Sequence, residues 1–166
     1  MPPSHEYDRC RGESRNADAA GTLAVFLAAI TQVASTDYSR EQIAAWARPR
    51  SRTVPEWDRE TQARGSFVAV LTGEAVGFSD VNRAGYIDTM FVSPSYGGCG
   101  VGSSLLTTAE CRARTWGARR LSADVSVTAR PFFERHEFVE TAERHPLIAG
   151  VRLTNLYMTK PLSTAR

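Results

Sequence analysis

The chain has 166 residues, of which 42% are hydrophobic and 23% charged, the composition of an ordinary globular protein with room for one domain. Its 20 basic and 18 acidic residues leave a net charge of +2, too even for a duplex-DNA binder that must neutralise many phosphates. Cys10, Cys99 and Cys111 form no C-x-x-C pair and share no ligand spacing with His5, His136 or His145, which argues against a disulfide framework and a metal site. No basic-then-apolar leader opens the sequence and no apolar run nears the roughly 20 residues of a membrane span, so a reduced, cytoplasmic protein bound to neither nucleic acid nor membrane is expected.

Residues 1–16 are polar, with one short strand expected near Glu6–Arg11. Asp18–Ser35 reads as a helix, because Leu23, Phe26, Leu27, Ile30 and Val33 recur at helical spacing. Ser39-Arg-Glu-Gln42 fits a capping box that starts a second helix carrying Ile43, Ala44 and Trp46, and Pro49 ends it. Pro55 suits the first turn of a third helix carrying Trp57.

From residue 66 the period changes. Ser66–Leu71 and Ala75–Val81 are strand-like runs around the turn Thr72-Gly73-Glu74. Gly85–Val92 reads as one further strand, stopped by Ser93-Pro94. After a glycine-rich loop, Val101, Leu105, Ala109, Ala113 and Trp116 lie on one stripe of a helix. Leu121–Val125 is the next strand and Thr128–His136 a short helix, while Phe138–His145 and Val151–Met158 close the chain as a β pair. Helices packed on a mixed sheet satisfy this order, an α/β architecture of the α+β kind.

The chemistry concentrates where a strand, a glycine turn and a helix follow one another. Gly97, Gly98, Gly100 and Gly102 remove Cβ atoms where the backbone turns, so amide N–H groups converge near a helix N-terminus and favour an anion such as phosphate. A P-loop is excluded because Ser103-Ser104 follow Gly102 with no lysine. A dinucleotide fingerprint is excluded because Ser103 occupies the place of its third glycine.

The run Phe91-Val-Ser-Pro-Ser-Tyr-Gly-Gly-Cys-Gly-Val-Gly-Ser-Ser-Leu-Leu106 resembles the strand, pyrophosphate loop and helix of the GNAT N-acetyltransferase superfamily. Ser126-Val-Thr-Ala129 followed by Phe133-Glu-Arg-His-Glu-Phe138 resembles the family's later block, Asn-x-x-Ala then Tyr-Glu-Lys-x-Gly-Phe. The resemblance covers residues 18–162. Tyr38–Trp46, Tyr86-Ile-Asp88, Arg130–Arg135 and Thr154–Met158 are most similar to the bacterial YafP-like subgroup.

That resemblance implies a single GNAT domain over 1–166, with a mostly antiparallel sheet splayed between its fourth and fifth strands, here Gly85–Val92 and Leu121–Val125. It implies acetyl-CoA as co-substrate, no metal, and direct acetyl transfer to an amine of a small acceptor. By position, the loop Gly97, Gly98, Cys99, Gly100, Val101, Gly102 and Ser103 would hold the diphosphate. Met90, Phe91 and Val92 would pair with the pantetheine, and an amide near Phe91 or Val92 would polarise the thioester carbonyl. Ser126 stands where the family often has an asparagine touching the cofactor. Self-association into a homodimer is left open.

Four positions depart from the family's pattern. Gly97 replaces an arginine or glutamine, Cys99 sits inside the loop, Glu137 replaces a glycine at a helix end, and Phe133 replaces the tyrosine that usually acts as general acid beside the cofactor. Two losses in one site give a competing reading: a degenerate acyl-CoA sensor, or a module bound to an operon partner.

An alkyl amine of pKa about 10.4 is neutral in about one molecule in 2,500 at pH 7, a deficit of about 4.6 kcal/mol. A proton acceptor therefore matters, and Asp88 is the candidate, its alternative being a buried partner for an arginine. Tyr157 is the candidate for a substitute hydroxyl, its alternative being core packing. The acceptor pocket is expected from Tyr38, Trp46 and Trp57, with Arg144 and His145 facing an acidic group on the acceptor.

Overall fold

A computed structural model describes residues 11–13 and 18–163. The element order is β1 (Arg11–Glu13), α1 (Ala19–Ala28), α2 (Arg40–Ala47), α3 (Val54–Ala63), β2 (Phe67–Leu71), β3 (Glu74–Ser79), β4 (Tyr86–Ile87), β5 (Met90–Val92), α4 (Val101–Thr115), β6 (Arg120–Ser126), α5 (Arg130–Arg135), β7 (Val139–Arg144), β8 (Leu147–Ile148), β9 (Val151–Arg152) and β10 (Asn155–Pro161). All but the last residue of the strand expected at Glu6–Arg11 lies outside the described residues, as does Cys10.

Local signals account for the helical wall. Ser39 Oγ accepts from the Gln42 N–H at 3.1 Å and Gln42 Oε1 accepts from the Ser39 N–H at 2.9 Å, a complete capping box. Thr53 and Pro55 open α3 in the same economical way. α1 continues through a π turn at Ala29–Val33 and a 3-10 turn at Ala34–Thr36, so the helix expected over Asp18–Ser35 keeps its direction and changes its hydrogen bonding. By length and composition Ala19–Thr36, with mean hydropathy 1.5, is enough to cross a membrane, which corrects the reading that no stretch approaches that length. In the fold, its Leu23, Val25, Phe26 and Ile30 are buried against the sheet and α3, and Trp57 Nε1 of α3 donates to Thr22 Oγ1 at 2.9 Å.

Two four-stranded sheets form, ordered β1-β2-β3-β5 and β4-β6-β10-β7, beside a β8-β9 hairpin. β4 runs parallel to β6, and the other pairings are antiparallel. β2 is buried on both faces, and its alternation shows why: Phe67 and Ala69 pack toward α4, and Val68 and Val70 toward α1 and α3. The α4 stripe of Val101, Leu105, Ala109 and Ala113 is buried as its spacing predicts, joined by Leu106, but Trp116, expected on the same stripe, stands exposed at the helix end. The last predicted strand, Val151–Met158, divides instead: Val151–Arg152 closes the hairpin and Asn155–Pro161 is the sheet strand.

Gly85–Val92 is not one strand. Tyr86 and Ile87 pair with Ser122 and Ala123 of one sheet, whereas Met90–Val92 pair with β3 of the other. The chain crosses between sheets at Asp88-Thr89. The cause is Asp80, 2% exposed, whose Oδ1 accepts from the N–H groups of Asp88 and Thr89 at 2.8 and 3.2 Å while its Oδ2 accepts from Thr89 Oγ1. The backbone donors that a sheet would have paired are paired by a carboxylate instead. Gly85 makes the approach of β4 to β6 feasible: a Cβ there would lie 2.0 Å from the Arg120 carbonyl oxygen, at φ +83°. The sheets therefore touch at β4 and part at β5.

Candidate active site

The free edge of β5 forms one lip of the opening. Ser93 N–H donates to Val76 O at 2.8 Å and Asp80 N–H to Thr89 O at 3.2 Å, within the register that sets Phe91 opposite Phe78. In an antiparallel ladder such residues alternate, so the N–H and C=O of Phe91 face β3. Those of Met90 and Val92 face the opening. Of the two candidates for polarising a carbonyl, Phe91 and Val92, the register leaves the N–H of Val92 outward, with Met90 the other outward amide of the strand.

The glycine loop continues from that lip. Gly98 and Gly100 have φ of +73° and +82°, conformations that a side chain disfavours. The first backbone bond of α4 runs from Ser104 N–H to Gly100 O, leaving the amides of Val101, Gly102 and Ser103 without helical partners. The amides of Gly97 and Cys99 already donate to Pro94 O and Tyr96 O, both at 3.3 Å. Gly102 answers a different need from the others. Its Cβ would lie 2.9 Å from the Phe132 ring, so it allows α5 to sit close.

Two cavities, of about 480 and 460 Å³, lie along the opening. The first is lined by Gly97, Gly98, Gly100, Val101, Gly102 and Ser103. The second lies beneath the helical wall and includes Tyr38, Trp46, Trp57, Asp88, Asp124 and Asn155. They share Trp46, Met90, Phe91, Ser126, Ala129 and Phe133. A two-ended ligand pair meeting at β5 fits this geometry. Phe133 is buried between Phe132 and Phe138, edge-on to both, and has no hydroxyl to offer.

Asp88 stands on the second cavity with its side chain 53% exposed, 3.8 Å from Arg64 Nε. It is neither mid-strand, because the chain crosses between the sheets there, nor buried, although Arg64 is an arginine partner of the kind the alternative reading gave it. The buried carboxylate is Asp80, whose pKa burial raises against the hydrogen bonds from Thr89 and Asp88. Tyr157 lines neither cavity; its ring lies under the Arg144 guanidinium at 4.0 Å. Tyr86 does line the second cavity, beside Tyr38, and its hydroxyl donates to Asp124 Oδ2 at 2.9 Å. Burial first, then Asp124, pushes the Tyr86 pKa upward, so it remains a phenol. Arg144 is held on Asp124, with 3.1 Å to both oxygens, and His145 pairs with Glu143. Neither lines the cavities.

Cys99 is exposed, its thiol 3.8 Å from Gly97 O, and among the described residues no histidine is paired with it. Tyr38 is spent on structure: its hydroxyl donates to Thr154 O at 2.6 Å and accepts from Val127 N–H at 2.9 Å. Sequence reading missed His136. Its Nδ1 lies 2.9 Å from Phe132 O, which makes that nitrogen the donor, and its Nε2 lies 2.9 Å from Ser103 Oγ, from which it accepts when the ring is neutral. Its position four residues after Phe132 on a short helix was the available signal.

The sequence model of the Acetyltransferase (GNAT) domain matches residues 34–160. The chain is 36% identical over 137 residues to the uncharacterized N-acetyltransferase YafP of Escherichia coli (strain K12), covering 81% of this chain and 84% of that one. Among solved structures it is similar to a GCN5-related N-acetyltransferase (aminotransferase, class-II) from Rhodopseudomonas palustris, with a TM-score of 0.87 and 32% identity over 94% of this chain and 98% of that one. A Salmonella typhimurium putative acetyltransferase, solved with its cofactor acetyl-CoA, shares the fold with a TM-score of 0.67 at 17% identity, covering 93% and 94% of the two chains.

Proposed function

The chain belongs to the GNAT acetyltransferase family, and from that membership we propose that it transfers an acetyl group from acetyl-CoA to the amine of a small acceptor. The observation that carries this reading is the free β5 edge leading into the amides at the start of α4. Acetyl-CoA supplies, when bound, an acetyl group activated as a thioester.

The residues fit such a donor. The amides of Gly98, Gly100, Val101, Gly102 and Ser103 present donors and a helix N-terminus to the diphosphate. Met90 and Val92 offer outward N–H and C=O groups that pantetheine amides match as an added strand. The Val92 N–H is placed to polarise the carbonyl oxygen, fixed by the ladder before any substrate arrives. Ser126 Oγ, which accepts from the Ala129 N–H at 3.1 Å, sits on the wall shared by both cavities.

Asp88 takes the proton from the acceptor amine, directly or through one water, because its carboxylate is on the acceptor cavity and accessible. The departing thiolate, cysteine-like with a pKa of about 8.5, leaves with little protonation. Phe133 is then tolerable where the family has tyrosine. This also weighs against the degenerate-sensor reading, one of whose two supports, beside Gly97, was that missing hydroxyl.

The test is a pair of readouts on one preparation. Millimolar acetyl-CoA should raise the melting temperature by mass action on the folded state, and thiol release should become dependent on an added amine. A melting temperature indifferent to acetyl-CoA and responsive to NAD or ATP would defeat the assignment.

A further inference from the structure

The second cavity has two differently charged walls. Arg48, Arg52 and Arg64 line it from the helical side, and Asp88 and Asp124 from the strand side. Arg52 is immobilised there: Nε donates to Ala47 O at 2.8 Å, Nη2 to Trp46 O at 3.3 Å, and the guanidinium lies 4.5 Å over the Phe26 ring. Among the described residues these bonds engage Nε and Nη2, and none is given to Nη1. Arg48 is held at φ +43°, a backbone conformation that arginine adopts at a cost and that places a second cation beside the first.

The near charges do not cancel at that wall. Burial, followed by the neighbouring charges of Arg48 and Arg64, disfavours the Arg52 cation, with Glu60 the one nearby group supporting it. Arg64 is engaged on Asp80 and Asp88, at 3.4 and 3.8 Å. Arg52, held in place, and the exposed Arg48 near it thus form a cationic end, with the exposed carboxylate of Glu60 nearby. The opposite wall carries the acceptors. Asn155 Oδ1 is buried without a hydrogen-bond partner and belongs to the same cavity as Asp88. A buried, unpaired acceptor on the same cavity as a half-exposed carboxylate suits an ammonium group, which would share Asp88 with Arg64. Between the two walls stand Phe26, Trp46 and Phe91, with Phe26 and Trp46 at 5.0 and 6.3 Å from Phe91 by ring centroid.

We propose that the acceptor is an amphoteric amine: an amino group held at Asp88 and Asn155, a planar apolar body against Phe26, Trp46 and Phe91, and a carboxylate on Arg48 and Arg52. This rests on the acetyl-transfer reading only for what happens to the amine; the recognition itself is a property of the cavity. Sequence reading gave the acidic group of the acceptor to Arg144 and His145, which the fold places elsewhere.

Three matched probes test it by calorimetry, without acetyl-CoA and then with it: para-aminomethylbenzoate, benzylamine and para-toluate. Para-aminomethylbenzoate should bind at least about tenfold more tightly than benzylamine, the scale of one charge-assisted guanidinium–carboxylate contact. Arg52→Gln should abolish that advantage. Because Arg52 also caps α2, the exposed Arg48→Gln is the second variant and should reduce the advantage with the fold intact. Equal binding of para-aminomethylbenzoate and benzylamine overturns the proposal. So does no measurable binding of either, or an advantage that survives both substitutions. An arginine-dependent preference in a protein that fails to bind acetyl-CoA supports this inference while refuting the transfer reading.

Discussion

Asp80, buried at the end of β3, accepts a hydrogen bond from the backbone N–H of Asp88 at 2.8 Å, so one acidic residue sets the position of another. The same carboxylate holds Thr89 by its N–H and its hydroxyl, and the result is the crossing from one sheet to the other. The opening between β5 and β6 is thereby a consequence of where three donors find their acceptor.

Replacing Asp80 should therefore damage both fold and site. Asp80→Ala strands the N–H groups of Asp88 and Thr89 and the Thr89 hydroxyl, and we expect a loss of about 2–5 kcal/mol in urea unfolding. Asp80→Asn retains an acceptor for the amides and should lose about half as much or less. An Ala variant as stable as the wild type would show that water replaces the carboxylate and that Asp80 does not hold the crossing.

Glu137 gives a prediction of the opposite sign. It sits at φ +69° just past α5, where Phe138 N–H donates to Phe133 O and Glu137 N–H to Glu134 O, both at 3.1 Å. This is the helix ending that favours glycine, and the GNAT pattern has glycine there. Glu137→Gly should raise stability by about 1 kcal/mol, offset slightly by the loss of the exposed contact to Lys160 at 3.5 Å. A destabilised variant would mean that the Lys160 contact outweighs the backbone strain.

Asp88 is separable from Asp80 by its pH signature. Asp88→Asn should lower kcat/KM at pH 7 by ~10²–10⁴, the usual range for a proton-transfer residue. The deficit should shrink as pH approaches the pKa of the acceptor amine, where free amine becomes abundant. Acetyl-CoA affinity should be unchanged, since the donor is held by backbone groups. A loss that is constant with pH would assign Asp88 to orienting Arg64, 3.8 Å away, and not to proton transfer.

Much of this was legible because its causes are local. The Ser39–Gln42 capping box, the Thr72–Glu74 turn and the α4 stripe are each decided by residues within a few positions of one another. The division of Gly85–Val92 was not legible. Ile87, Phe91 and Val92 make one apolar run, and what breaks it is a carboxylate supplied from residue 80. Distance in sequence also hid the contact of His136 with Ser103, 33 residues away, and the cationic wall, which α2, the following loop and α3 assemble together. Tyr157 was misjudged for the same reason. Its strand was foreseen, but which neighbour covers its ring, here Arg144, depends on the pairing of β10 with β7.

The central claim is that acetyl-CoA lies along β5 with its diphosphate on the amides that open α4. Calorimetric titration of acetyl-CoA into the wild type, Gly98→Leu and Gly97→Gln tests it most directly. Gly98 lines the donor cavity, and a Cβ there meets nothing within 4 Å, so the leucine has room at the cost of a strained φ of +73°. Gly97 has φ −58° and only an ordinary 3.5 Å contact to Pro94 O in store for a Cβ, so glutamine can restore the side-chain donor that the family pattern has. The account predicts binding by the wild type, at least about tenfold weaker binding by Gly98→Leu (about 1.4 kcal/mol) with unchanged circular dichroism, and tighter binding by Gly97→Gln. Absent binding to the wild type, or an affinity that neither substitution moves, would contradict it.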